Sequence, residues 1–178
     1  MTTADDRRAV EIQIGRPPRS RVVVEARCHL GLPIVIEVPP ILDDGTPFPT
    51  THWLTCPLAM LRISRIESAG GVRDADRLLV EDAQLASDFD ETSARYSADR
   101  ETLMPQGWAG PRPSGGVGGS RGGVKCLHAQ FADTAAGNNN PIGGRVADDI
   151  NPLNCSTPCV TNIDGGVARN PEWTEPDR

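Results

Sequence analysis

Lysine occurs once in these 178 residues, at position 125, and aromatic side chains make up only 4% of the chain. The formal net charge is −6. A general nucleic-acid surface is therefore excluded, because neutralising phosphates takes clustered Lys and Arg. The one basic concentration, Arg16, Arg19, Arg21 and Arg27, reads as a solvated strand edge. With few aromatics and 38% hydrophobic residues, the core is expected to be aliphatic and modest. No run approaches the ~18 apolar residues of a membrane span. The opening MTTADDRRAV has neither an apolar core nor a small-residue cleavage pattern, so no secretory signal is read there. The expectation is a soluble cytoplasmic protein without a membrane role. In that compartment structural disulfides are rare, and grouped cysteines more often bind metal or react. Five cysteines, an odd count, also fit poorly with a fully paired framework.

What is abundant is glycine and proline, 18 and 16 residues, gathered in the final third. The length suits one domain. The chain divides into a flexible N-terminus over 1–11, a single domain over 12–146, and an irregular tail over 147–178 able to supply metal ligands. RVVVEARCHLGLPIVIEV contains two β-branched runs around a short turn, and Cys28 ends the first. Pro57 suits a first helical position, with Thr55 or Cys56 as N-cap and Gly70-Gly71 as the stop. Asp74 to Leu103 is helical in composition, with a break near Ser87 and a Glu91–Arg95 pair at i,i+4 spacing. After a glycine-rich linker, Leu127, Phe131 and Ala135 follow a helical period that Gly137 ends. The expected class is α+β: a small strand pair or sheet near the N-terminus, packed with about three helices, and an irregular Gly/Pro/Cys-rich tail.

The reactive residues are few and grouped. Lys125, Cys126 and His128 crowd the start of one predicted helix, and Cys56 starts another. Unpaired amides and the macrodipole at such positions favour a thiolate, the form that binds metal and attacks electrophiles. Zinc takes four tetrahedral Cys or His ligands in structural sites and three plus water in catalytic ones. Iron–sulfur clusters accept cysteines too. The only close pair is Cys155-x3-Cys159, so Cys28, Cys56 and Cys126 can share an ion only if the fold assembles them. If one helix includes both Cys126 and His128, the two point about 200° apart and cannot easily hold one ion. His128 joins Cys126 only if the helix begins later. His29 and His52 read as structural or surface residues, and Asp43-Asp44 as a turn. GGSRGGVK offers glycine amides and a cation to an anion, but no Gly directly precedes Lys125 and no Ser or Thr follows it, so nucleotide hydrolysis is not expected.

GRPPR, LDDGTPFPTTHWLTCP, SRIESAGG and VKCLHAQFAD…NPIGG together resemble a bacterial, mainly actinobacterial, family catalogued as domain of unknown function 501. The resemblance spans roughly 12 to 146. It implies a small cytoplasmic protein, often encoded near a septum-formation protein and an exopolyphosphatase-like enzyme, and no established activity. It also implies that Cys28, Cys56 and Cys126 carry the family's cysteine pattern. Here His29 follows Cys28 where the family often has proline.

The resulting expectation is a thiolate metal site built from Cys28, Cys56, Cys126 and a tail cysteine, preferably Cys159, holding zinc or, alternatively, an iron–sulfur cluster. Lys125 stands beside it to attract an anionic ligand or cofactor. Roles for His128 and Cys155 stay open, as does whether the protein is an enzyme. The competing classes are an interaction or adaptor module linked to cell division or polyphosphate metabolism, with a purely structural metal, and a redox-active thiol protein. The expected partner is another protein or a small anionic ligand.

Overall fold

Thr3 and Asp6 stand at the spacing of a capping box, and the first helix, α1 (Ala4–Ile14), starts on them. The Thr3 hydroxyl accepts from the Asp6 amide, and the Asp6 carboxylate accepts from the Thr3 amide. The sequence reading of 1–11 as flexible is thus corrected. The helix buries only a narrow stripe, chiefly Ala9, Val10 and Gln13, which hydropathy alone does not flag. Asp6 also receives both terminal nitrogens of Arg27, at 2.6 and 2.8 Å, and so ties α1 to the first strand. The computed structural model describes residues 2–163 and 165–177.

Three antiparallel strands follow: β1 (Val23–Arg27), β2 (Pro33–Glu37) and β3 (His52–Leu54), in the order β1-β2-β3. The register sets Val24 opposite Ile36, and Val35 opposite Leu54. The β1–β2 turn closes through the Gly31 amide on the Cys28 carbonyl, with Gly31 at φ 80, so Cys28 sits at the hairpin tip.

Helices cover one side of this sheet: α2 (Pro57–Ser68), α3 (Gly71–Glu81), α4 (Ala83–Thr102), α5 (Leu127–Ala135) and α6 (Pro141–Ile150). The core joins Val35 and Leu54 of the sheet to Leu58, Ile63, Phe89 and Phe131 of the helices. Fully burying each such side chain contributes roughly 1.5–3 kcal/mol. The break in the long helical stretch falls at Asp82, not near Ser87, because the Asp82 side chain caps α4 by accepting from the Gln84 and Leu85 amides. Arg95 pairs with Asp99 and Asp133 rather than Glu91. The backbones of α5 and α6 come close at Gly143, where a Cβ would collide with the Gln130 carbonyl.

The last segment is not irregular throughout. Val160–Ile163 (β4) and Gly166–Arg169 (β5) pair as a second antiparallel sheet against α1. Arg62, 1% exposed, secures the approach by donating to the carbonyls of Ile150 and Pro152 at 2.6 and 2.7 Å. The expected α+β class therefore holds, with six helices and two small sheets among the described residues.

Candidate functional site

The thiols fall into two groups. Cys28 at the hairpin tip, Cys56 at the start of α2, and Cys155 and Cys159 from the C-terminal segment line one small cavity of about 20 Å³. Its remaining walls are mainly apolar, with Leu58, Leu153 and Trp173 prominent. His29 holds the tail here, its Nε2 lying 2.9 Å from the Cys155 carbonyl oxygen and donating to it. Cys56 makes no regular cap hydrogen bond, but the amides of Ala59 and Leu58 favour its thiolate. Burial is the larger influence and pushes the Cys56 thiol up to about 11, with Cys159 and Cys155 adding to the rise. Burial raises Cys159 as well, opposed by Gln13, whose Nε2 donates to its sulfur at 3.7 Å.

Cys126 belongs elsewhere. It is the N-cap of α5, with φ −156 and ψ 121, so the helix proper begins at Leu127. This is the later start that lets Cys126 and His128 converge. Their ligand atoms and a Glu67 carboxylate oxygen all lie within 4.8 Å of one another. Glu67, near the end of α2, accepts from the Leu127 amide at 2.6 Å and lies 3.2 Å from His128 Nδ1. That contact anchors the start of α5 on the last turn of α2. Cys126 accordingly does not join the lining of the cavity that holds Cys28 and Cys56. The sequence expectation of a site shared by Cys28, Cys56 and Cys126 is corrected in that member.

His128 Nε2 lies 3.2 Å from the Met60 carbonyl oxygen. A carbonyl only accepts, so Nε2 carries a proton and Nδ1 is the atom turned to Cys126 and Glu67. Burial opposes a charge on this imidazole. The hydrogen bond to Cys126, the Glu67 and Cys126 charges and the Met60 carbonyl outweigh it and raise His128 to about 9.

Cys126 and His128 face a cavity of about 400 Å³ whose apolar wall includes Trp53, Leu54, Met60 and Ala129. His52 lines it as well. Its Nδ1 lies 3.0 Å from the carboxylate of Asp133, which is 0% exposed. Burial works against the Asp133 charge, yet hydrogen bonds from His52 and Asn140 together with Arg95 hold the carboxyl below its usual range. Lys125 stands at the cavity's edge, its Nζ donating to the Gly118 carbonyl at 3.1 Å. The same lysine borders an open groove that carries Arg112 and Arg121. It is thus beside Cys126, and on a different cavity from the other thiols.

Sequence reasoning missed Cys155 as a companion of Cys28 and Cys56, although its close pairing with Cys159 was the available signal. Glu67 and the His52–Asp133 pair were missed because only the packing of α2, β3 and α5 brings them together. A carboxylate at position 133, between Phe131-Ala132 and the Ala135-Ala136 pair, is the trace they leave in the sequence.

No curated protein and no solved structure matches this chain. A family model described as a protein of unknown function, DUF501, matches residues 24–148. That span includes Cys28, Cys56, Cys126, Glu67 and His128, and it stops short of Cys155 and Cys159. On a match covering most of its length, the chain belongs to the DUF501 family.

Proposed function

We propose that this is a zinc protein in which the thiolates of Cys28, Cys56, Cys155 and Cys159 hold one ion, and that the ion fastens the C-terminal segment to the α+β domain. The observation that carries the reading is the gathering of four of the five cysteines, from three separate stretches, around one cavity of about 20 Å³. Burial alone disfavours free thiolates here, but hydrogen-bond donors stand ready for metal-bound ones. Amides of Leu58 and Ala59 favour a charged Cys56, and Gln13 donates to Cys159. The Trp173 indole N–H, on the same wall, is buried without a protein acceptor. Such donors disperse the excess negative charge of a four-thiolate centre. A cavity this small suits a single ion better than a cluster, which favours zinc over iron–sulfur. Four protein ligands close the coordination sphere, so the metal is structural and supports an interaction module over a metalloenzyme at this site.

Elemental analysis with absorption spectroscopy on protein purified without oxygen tests this. The expected sample is colourless with one zinc per chain; C28S and C155S lose it, and C126S keeps it. A brown sample would substitute an iron–sulfur cluster for zinc. Metal-free protein, or zinc that survives in both C28S and C155S, would remove the proposal.

A further inference from the structure

The separation of Cys126 from the other thiols leaves a reactive constellation with its own cavity. We propose that Cys126, His128 and Glu67 form a nucleophilic thiol centre that cleaves an activated acyl group, an ester or thioester, carried on an anionic leaving group. The proposal is independent of the zinc reading, because it uses none of the four thiols assigned to the metal.

Three observations carry it. The first is the order of the groups. The Cys126 sulfur lies within 4.8 Å of a His128 ring nitrogen and of a Glu67 carboxylate oxygen. The imidazole is fixed from behind by the Met60 carbonyl, and Glu67 stands 3.2 Å from its Nδ1. A nucleophile beside a base whose orientation is set by a third group is the arrangement that activates Ser or Cys in unrelated folds. Glu67 is a positioning residue: it also accepts from the Leu127 amide, which fixes the start of α5 against α2.

The second is the place of the sulfur on the helix. Cys126 precedes the first turn of α5 and makes no cap hydrogen bond. The first-turn amides of His128 and Ala129 have no acceptor within the helix, and both residues line the cavity. Donors of this kind beside the attacking atom are what a developing oxyanion requires.

The third is the shape and charge of the space. A cavity of about 400 Å³ with an apolar wall of Trp53, Leu54, Met60 and Ala129 suits an acyl chain. At its edge Lys125 leads into a groove with Arg112 and Arg121, where a phosphate-bearing carrier finds cations. Arg112 is paired with Glu101 at 2.9 Å, whereas Arg121 donates only to a neutral hydroxyl, that of Ser114. Lys125 and Arg121 are therefore the principal anion contacts.

The reaction balances without a redox partner. The Cys126 thiolate, its proton already held on His128, bonds to the carbonyl carbon, and the π pair moves to oxygen. Collapse of the adduct breaks the bond to the carrier, which leaves with the proton held by His128. Water then attacks the Cys126 thioester and gives its proton to His128. The sulfur departs as thiolate, His128 keeps the proton, and the products are a carboxylic acid and the free carrier.

Acetyl-coenzyme A and p-nitrophenyl acetate serve as probes, one with an anionic carrier and one without. Intact-protein mass spectrometry should detect one acetyl group on wild-type protein, mapped by digestion to Cys126. C126A should abolish both the adduct and turnover, and H128Q should slow turnover about 10²–10⁴-fold. K125A should raise KM for acetyl-coenzyme A more than it raises KM for p-nitrophenyl acetate. Circular dichroism of each variant separates loss of chemistry from loss of fold, and H128Q keeps the test open should C126A fail to fold. Acylation elsewhere, or turnover unaffected in C126A or H128Q, would overturn the proposal. So would a second metal ion, present in wild type and lost in folded C126S and H128Q, because Cys126 would then be a ligand.

Discussion

The carboxylate of Asp133, wholly shielded from solvent, binds Nδ1 of His52 at 3.0 Å and so joins α5 to β3 at the wall of the larger cavity. Arg95, Asn138 and Asn140 complete its shell. Since the folded-state pKa lies below the unfolded one, this carboxylate contributes stability that is fully present above the unfolded value near 3.8. That contribution is lost as pH falls through the lower folded value. Urea unfolding from pH 6 down to pH 3 should show the loss in wild type and less of it in D133N. At pH 6 the substitution should itself cost about 1–3 kcal/mol, because it turns a charged acceptor into an amide among donors.

His128 has the opposite sign. Its folded pKa of about 9 exceeds the ordinary imidazole value of 6.5. Its stabilising interaction is fully present below 6.5 and disappears as pH rises through 9. An NMR titration of the imidazole should therefore place its midpoint well above 6.5, and E67Q should lower it. An unshifted midpoint would mean that Glu67 and Cys126 do not engage the ring.

At the crossing of α5 and α6, G143A should be among the most damaging substitutions in the chain. The new methyl group would overlap the Gln130 carbonyl oxygen and the Thr134 hydroxyl, and a helix backbone cannot yield as a side chain can. A loss of about 3 kcal/mol or more is expected in denaturant unfolding. G144A, one residue on with nothing within 4 Å, should be tolerated and serves as the control.

On the proposed zinc site, removing the ion or substituting Cys155 should loosen the C-terminal segment more than the domain beneath it. His29 and Arg62 still hold its first residues, at Cys155 and Pro152. The hairpin β4–β5 beyond them would lose its thiolate anchor. Limited trypsin digestion should then cut at Arg169 faster in chelator-treated or C155S protein, with the region before Ile150 unchanged. Equal protection in both forms would contradict a fastening role.

Local signals in the sequence were reliable where a single residue type fixes a single geometry. Pro57 at the first helical position put Cys56 at the N-cap, and the period Leu127, Phe131, Ala135 located α5. Even the condition under which His128 could reach Cys126 was readable, because it is a matter of where one turn begins. What could not be read was which distant segments meet. Arg95 leaves Glu91 for Asp133 of α5, and Cys155, not Cys126, lines the cavity with Cys28 and Cys56 because the chain returns past Arg62 and His29. The strands β4 and β5 were missed for another reason. VTNI and GVAR are short and half polar, and they pair only against the support that α1 provides.

Lys125 is exposed, and it is the sole side-chain amine in the protein. Apart from the amino terminus, an amine-directed dye therefore has one place to attach, and that place is the rim shared by the cavity and the groove. A fluorophore coupled there would report occupancy of both spaces from a single position, without any engineered handle.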